Sequence, residues 1–194
     1  NLGMGLLGHL LEKKTQVSYD RLVRQYITDP LALNDTAIAL TDEQQQRLAP
    51  GHTFDGKITS NWDIPTLAGA GALRSTVQDL LIFLAATLDT TIPLLSSAFQ
   101  LCRQTHVPLS EESDSSSLVG VGLGWFIRQF KDLEEPVFWH NGGTGGYQSY
   151  VSSLSAKGLS IAILANYGLG HPTSFSTDAI GDQTRRDAAE DAEC

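Results

Sequence analysis

The sequence predicts an α+β fold, a helical region followed by an antiparallel sheet, and three observations carry that reading. Between Leu2 and Gln104, apolar residues recur at helical spacing in separate runs, several of them opened by a capping residue or closed by a breaker. From Gly120 the period falls to two, and aromatic and β-branched residues fill four runs joined by short links. Between the second and third of those runs lie the glycines Gly142, Gly143, Gly145 and Gly146. Helices first and strands after give a meander, not a parallel sheet. We read residues 1–118 as the mainly helical region of one domain, 119–173 as its antiparallel strands and 174–194 as an acidic tail expected to be disordered.

Asn1 to Thr15 reads as a helix, with Leu2, Leu6, Leu7, Leu10 and Leu11 near the 3.6 period. Gly3, Gly5 and Gly8 spell the dinucleotide fingerprint G-x-G-x-x-G, but no strand precedes them. A small-residue helix face that admits a close neighbour is the better reading. Ser18 is an N-cap for a second helix running to Ile27, and Asp29-Pro30 ends it. Leu31 to Ala39 connects. Thr41 and Gln44 form a capping box for a short polar helix to Leu48. Pro50 to Ala70 reads as loop, because Pro, Gly, Asp and Asn punctuate it throughout. Ser75 and Gln78 predict a capping box for a helix to Leu88 with Val77, Leu80, Leu81, Leu84 and Leu88 as its buried stripe. A further short helix spans Ser97 to Gln104.

Residues 110–117 are acidic and serine-rich and read as a solvated loop. The strands are predicted at Gly120 to Phe130, Val137 to His140, Gly146 to Leu154 and Leu159 to Tyr167. The stretch from Ser174 to Cys194 carries six acids and two arginines, with Phe175 and Ile180 its only large apolar residues, too few for a packed helix.

Composition narrows the function. At 41% apolar and 18% charged residues the chain is of ordinary globular class and long enough for one sizeable core. A net charge of −9 argues against nucleic acid and against an anionic membrane surface. No apolar run is long enough to span a bilayer and no signal peptide is present, although a chain that starts with Asn can have lost one. Cys102 and Cys194 make no disulfide framework, and the histidines His9, His52, His106 and His171 lack metal spacing, so neither metal nor cofactor is expected.

The chemistry gathers at Phe138-Trp139-His140-Asn141-Gly142-Gly143-Thr144-Gly145-Gly146-Tyr147. Backbone at these glycines can approach a ligand closely because no Cβ intervenes. A phosphate-cradling loop would need a helix next, but Tyr-Gln-Ser-Tyr-Val reads as strand. A glycine-rich hairpin with a stray histidine is the bland alternative. Gly158-Leu-Ser160-Ile-Ala162 has no helix after it and is no nucleophile elbow.

His-Asn-Gly followed by Gly-Thr-Gly-Gly-Tyr resembles the third motif, Lys-Thr-Gly or His-x-Gly, of the serine β-lactamase and penicillin-binding-protein family. That family includes class C β-lactamases, D-alanyl-D-alanine carboxypeptidases and lactamase-like esterases. Asn1-Leu-Gly-Met-Gly-Leu-Leu-Gly8 resembles the family's second motif, Tyr-x-Asn, continued into its helix, with Asn1 as the third residue of the motif. The run Ala-Gly-Ala-Leu-Arg-Ser-Thr-x-x-Asp-Leu-x-x-Phe-Leu is also similar, so the resemblance covers Asn1 to about Tyr167. It implies a β-lactamase/transpeptidase-like fold and acyl transfer to water through an acyl-serine on a small-molecule amide, peptide or ester. A periplasmic or extracellular location is implied on the same ground.

The nucleophile motif Ser-x-x-Lys is absent, since no serine has a lysine three places on, and so is the tyrosine of the second motif. What the resemblance implies here is the electrophile-side half of a site. Asn1 would hydrogen-bond the missing lysine and the substrate amide. His140 would bear on the leaving group, the absent tyrosine or a substrate carboxylate. Asn141 would hydrogen-bond a substrate carboxylate or carbonyl, Gly142 would keep the strand surface clear, and the Gly143 N–H would be the second oxyanion donor. Structurally, Asn1 would serve equally as an N-cap and His140 as a strand-end histidine.

Two function classes stay open: the C-terminal part of a serine hydrolase, inactive by itself, and a non-catalytic binding module or incomplete product that keeps only the scaffold. A Ser-x-x-Lys encoded upstream and a Tyr-Ser just before Asn1 are expected under the first, a start codon there under the second. Left alone, the strands are expected to leave a sheet edge and an apolar face uncovered, so that the chain self-associates or is unstable.

Overall fold

A computed structural model describes residues 1–88, 93–109 and 116–168; of the loop read over 110–117, residues 110–115 lie outside the described residues, as does the tail at 174–194, while Ser116 and Ser117 are not loop but the first residues of a strand. Five α-helices and a six-stranded antiparallel sheet are described, so helices do precede the sheet. Its strands are β3 (Val107–Pro108), β4 (Ser116–Val121), β5 (Phe126–Phe130), β6 (Val137–Thr144), β7 (Tyr147–Leu154) and β8 (Leu159–Ala165), hydrogen-bonded in chain order as a meander. The chain divides into two compact units. The first holds Asn1–Phe83, Gly142–Ser149 and the described part of Leu164–Gly170, the second Leu84–Asn141 and Tyr150–Ile163.

In the first unit, α1 (Leu2–Thr15) buries Gly5 and Gly8 and exposes its leucines. A methyl at Gly5 would come within 2.8 Å of Leu67 Cβ, and one at Gly69 within 2.6 Å of the Met4 carbonyl oxygen. Gly5 and Gly8 of the fingerprint therefore form a packing face against the 3₁₀ turn Pro65–Ala70, and Gly3 stays exposed outside it. Leu2, Leu6, Leu7, Leu10 and Leu11 face away from that contact and are exposed. Gln16, in the left-handed region at φ 59°, closes the helix. Ser18 caps α2 (Tyr19–Val23), which continues as a π-helical turn, Arg24–Thr28. The predicted capping box of α3 (Asp42–Arg47) is complete: the Gln44 N–H donates to Thr41 Oγ1 at 3.2 Å and the Thr41 N–H to Gln44 Oε1 at 2.9 Å.

Three expectations fail here. Pro50 to Ala70 is not all loop: β1 (Gly51–His52) pairs antiparallel with β2 (Ile58–Thr59), and the 3₁₀ turn comes after them. Strands of two residues are too short to show alternation, so only their turn residues register in the sequence. Nor does Ser75 cap α4 (Val77–Leu88). Thr76 Oγ1 accepts from the Asp79 N–H at 3.2 Å, while the Ser75 hydroxyl pairs with Thr36 Oγ1 at 2.7 Å. Asp79 is buried and accepts from the Asp35 N–H and Thr36 Oγ1, both at 2.8 Å, tying the connecting segment to the helix start. Val77 and Leu81 of the predicted stripe are exposed.

In the second unit the core gathers Phe130, Val137 and Leu154, with Leu133 and Leu159 packed against it. The strand expected over Gly120 to Phe130 is two strands. A turn separates β4 from β5, with the Gly122 N–H donating to the Trp125 carbonyl at 2.8 Å and Gly124 at φ 78°. From α5 (Pro93–Arg103), Arg103 donates to Thr87 Oγ1 at 2.7 Å, Ser155 Oγ at 3.1 Å and Ser153 Oγ at 3.2 Å, and its guanidinium lies 5.0 Å from the Phe138 ring centre. Burial pulls the Arg103 pKa down.

Candidate active site

Strand β6 changes character at one residue. Val137, Phe138 and Trp139 are buried, and His140, Asn141, Gly142 and Gly143 are exposed. Its register with β5 pairs Arg128 with Val137, Ile127 with Phe138 and Phe126 with Trp139. Phe126 is the first residue of β5, so His140–Thr144 extends past that neighbour's end. The sequence reading stopped this strand at His140. It runs on through Asn141, Gly142, Gly143 and Thr144, residues mostly of low strand propensity, and turns at Gly145-Gly146 into β7.

His140 is held on two sides. Its Nδ1 lies 2.6 Å from the Asn141 carbonyl oxygen. A carbonyl only accepts, so Nδ1 carries the hydrogen, and Nε2 of the neutral ring is left as an acceptor. The ring is stacked on Phe126, centres 5.5 Å apart and planes at 28°. Phe126 in turn stacks on Trp139 at 4.8 Å, and Trp139 on Tyr150 at 6.0 Å, while the Arg128 guanidinium lies 5.5 Å from the Trp139 ring centre. Burial pushes the Tyr150 hydroxyl pKa up. An aromatic ladder thus fixes the face of the imidazole, and a backbone carbonyl fixes its tautomer.

The glycines differ in what surrounds them. A methyl at Gly142 would meet Ser149 Oγ at 2.7 Å, and one at Gly143 would meet nothing within 4 Å. One at Gly145 would meet Trp62 Nε1 at 2.6 Å, and one at Gly146 would meet Gly51 Cα at 3.0 Å. The glycine turn is therefore seated on the segment read as loop, and side chains at strand ends fasten that segment. Tyr147 Oη donates to the Ala49 carbonyl at 2.7 Å, Asn166 Nδ2 to the Pro50 carbonyl at 2.9 Å, and Tyr167 Oη to the Phe54 carbonyl. The His52 N–H is shared between the carbonyls of Asn166, at 3.0 Å, and Gly146, at 3.3 Å. Sequence reasoning missed these supports, and the signal available was slight: a glycine at 51 facing one at 146.

His140, Asn141, Gly142 and Gly143 are consecutive on one strand. Asn1 belongs to the first unit, at the N-cap of α1. It is exposed, its side chain makes no capping bond, and its carbonyl accepts the Gly5 N–H at 3.0 Å. Among the described residues no helix is long and apolar enough to cross a membrane.

A family model described as Beta-lactamase matches residues 1–184, so the chain belongs to the β-lactamase family. It is 28% identical to penicillin-binding protein 4 of Amycolatopsis lactamdurans, over 91% of this chain and 48% of that protein. It is 29% identical to a probable hydrolase M10 of a Phoma species, over 89% of this chain and 28% of that one. A β-lactamase of Escherichia coli K12 is 24% identical over 89% of this chain and 52% of its own length. Among solved structures, a class C β-lactamase from Rhodobacter sphaeroides superposes with a TM-score of 0.73 at 18% identity, covering 88% of this chain and 54% of that one. The fold is thus β-lactamase/transpeptidase-like, and the chain is a hydrolase-like member of the family. It spans about half the length of the penicillin-binding protein and β-lactamase that it matches.

Proposed function

We propose that this chain supplies the electrophile-side half of a serine hydrolase site, acting on an amide, peptide or ester through an acyl-serine whose nucleophile lies outside this sequence. The observation that carries the reading is the exposed end of β6, where His140, Asn141, Gly142 and Gly143 run past β5 and Gly143 opens on empty space. In this reading the Gly143 N–H donates to the carbonyl oxygen as it gains negative charge, and the missing Cβ lets the substrate reach it. Asn141, with an amide that both donates and accepts, holds the substrate's carboxylate or carbonyl. His140 offers Nε2 to a proton moving to or from the leaving group, since Nδ1 is committed to the Asn141 carbonyl. Asn1, free of capping duty, holds the lysine of the nucleophile motif and the substrate amide.

The second reading, a non-catalytic binding module, keeps the same exposed end of β6 for binding alone. Two experiments decide. The 194-residue chain is expected to show no covalent labelling by a fluorescent penicillin or a fluorophosphonate, and stoichiometric labelling of one of its serines would overturn the half-site reading. A protein joining this chain to a Ser-x-x-Lys region is then assayed on a chromogenic cephalosporin, a short-chain ester and a D-Ala-D-Ala peptide. Turnover of one of them supports the hydrolase. Binding of all three with turnover of none supports the module.

A further inference from the structure

We propose that Arg103 is the centre of a halide-binding site in the second unit, where a chloride ion ties helix α5 to the sheet. Arg103 is the last residue of α5, and every partner of its guanidinium is neutral. Nη2 donates to Thr87 Oγ1 at 2.7 Å and to Ser153 Oγ at 3.2 Å, and Nη1 to Ser155 Oγ at 3.1 Å, while the guanidinium carbon lies 5.0 Å from the Phe138 ring centre. These bonds use three of the five N–H donors that an arginine has. The Nε–H is shut off from solvent and has no acceptor among the described residues. No carboxylate among them lies within ion-pair distance of Arg103. Thr87 and Ser153 are buried. The Thr87 hydroxyl gives its hydrogen to the Leu84 carbonyl at 2.6 Å, but the hydroxyls of Ser153 and Ser155, which accept from the arginine, have no acceptor of their own among the described residues.

The nearby sources of negative charge do not balance this cation. Carbonyls at the C-terminal end of α5 carry partial negative charge, but they are turned to other donors. That of Leu101 accepts from the Gln104 N–H at 3.3 Å and lies 3.0 Å from His106 Nε2, and that of Cys102 accepts from the Leu123 N–H at 2.9 Å. Burial holds the Arg103 pKa below its ordinary value, and Cys102 and the exposed Glu135 offset only part of that. Water at Nε would satisfy a hydrogen bond and leave the charge, whereas an anion answers both. A spherical ion accepts from donors in any direction, which suits one orphaned N–H and two hydroxyls. A carboxylate or phosphate asks for a paired N–H fork, and three donors of this guanidinium are already engaged by hydroxyls. Thr87 stands in α4, Arg103 in α5 and Ser153 in β7, so an ion here stabilises the junction of the helices with the sheet.

The test separates chloride itself from ionic strength. The ¹⁵N-labelled chain is kept at constant ionic strength while sodium gluconate is replaced stepwise by sodium chloride or sodium bromide. The Arg103 Nε–H resonance, assigned by its loss in Arg103→Lys, should shift saturably with either halide. In urea unfolding, chloride at ten times its dissociation constant should lower the unfolding equilibrium constant about tenfold relative to gluconate. Arg103→Gln should abolish that chloride dependence. Ser155→Ala removes one partly buried hydroxyl, and should weaken the halide severalfold while the protein still unfolds cooperatively in gluconate. A resonance that does not move as chloride replaces gluconate overturns the site. So does a shift that grows without saturating into the molar range, which marks an adventitious ion only, and so does a Ser155→Ala variant with wild-type halide affinity. Should Arg103→Gln fail to fold, the comparison of Ser155→Ala with wild type decides alone.

Discussion

Helix α1 and strand β6 both carry clustered glycines, and they use them in opposite ways. In α1 two of the three glycines, Gly5 and Gly8, are buried and the leucines face water. In β6 the apolar residues are buried and the glycines face water. The difference lies in what a Cβ would meet. At Gly5 it would meet Leu67 at 2.8 Å, so the glycine is there to let a second backbone in. At Gly143 it would meet nothing, so no protein contact calls for a glycine there, and under the proposed function the bare strand surface is left for a substrate. A glycine-rich motif is thus a statement about close approach, and the surroundings decide whether the approaching group is protein or ligand.

The largest effects should come from the packed set. Gly69→Val places carbon against the Met4 carbonyl, a backbone atom that cannot swing aside, and should cost about 3 kcal/mol; Gly5→Ala should cost about 2 kcal/mol. Gly3 lies in the same motif, yet a methyl there has nothing within 4 Å. Gly3→Ala should be neutral or stabilising by up to about 1 kcal/mol through helix propensity. Urea unfolding of the three variants measures this, and equal costs at Gly3 and Gly5 would remove the packing account of the fingerprint.

On β6 the order of effects reverses: function should fall and stability should hold. In a catalytically competent protein containing this chain, His140→Ala should lower kcat/KM by about a hundredfold. Its stability should change by no more than about 1 kcal/mol, because an exposed ring leaves no cavity. Gly143→Ala should likewise leave the melting temperature close to wild type while obstructing the substrate. If His140→Ala unfolds the protein and the folded remainder keeps its specific activity, the histidine is a structural end to the aromatic ladder.

These contrasts also mark what the sequence could reveal. The Thr41–Gln44 capping box was legible because all its partners lie within four residues, and the motif Gly142 to Gly146 because its composition is extreme. The cap of α4 was misread by one place because Ser75 and Thr76 are adjacent and equally fit to cap. The hairpin of β1 and β2 was invisible, its strands too short to alternate. Arg103 was missed since its hydroxyl partners lie 16, 50 and 52 residues away, a separation at which local pattern carries no information. For the same reason Trp62 and Gly145 could not be matched from sequence.

The exposed face of α1 has a smaller and concentration-dependent consequence. With Leu2 at 72% and Leu10 at 54% exposure, the isolated chain is expected to self-associate through this helix. Burying one leucine contributes about 1.5–3 kcal/mol, so Leu6→Gln and Leu10→Gln should each weaken association by about tenfold or more. Sedimentation of wild type and variants measures this; a monomer of the wild-type chain with one sharp cooperative melt would refute it.

The smallest effect separates the two glycine sets by pH. The hairpin that seats Gly146 is held at its tip by Asp55, which accepts from Thr53 Oγ1 at 2.5 Å and lies 2.7 Å from Lys57 Nζ. The Lys57 ammonium and then the Thr53 hydroxyl hold its carboxyl below the usual carboxylate range. A carboxyl depressed in the folded state stabilises fully above its unfolded pKa, and that contribution is lost as pH falls through the folded value. The pair is exposed, so the effect is small and salt weakens it. The contact of Gly5 and Gly8 with Leu67 and Gly69 is steric and contains no titrating group. Acidification through the carboxylate range should therefore speed hydrogen exchange of the Lys57-bonded Thr53 amide and of the His52 amide relative to α1, and Asp55→Asn should remove that pH dependence. Equal acceleration in α1 and the hairpin would mean that acid acts on the fold as a whole, and that the seat of the glycine turn has no local electrostatic latch.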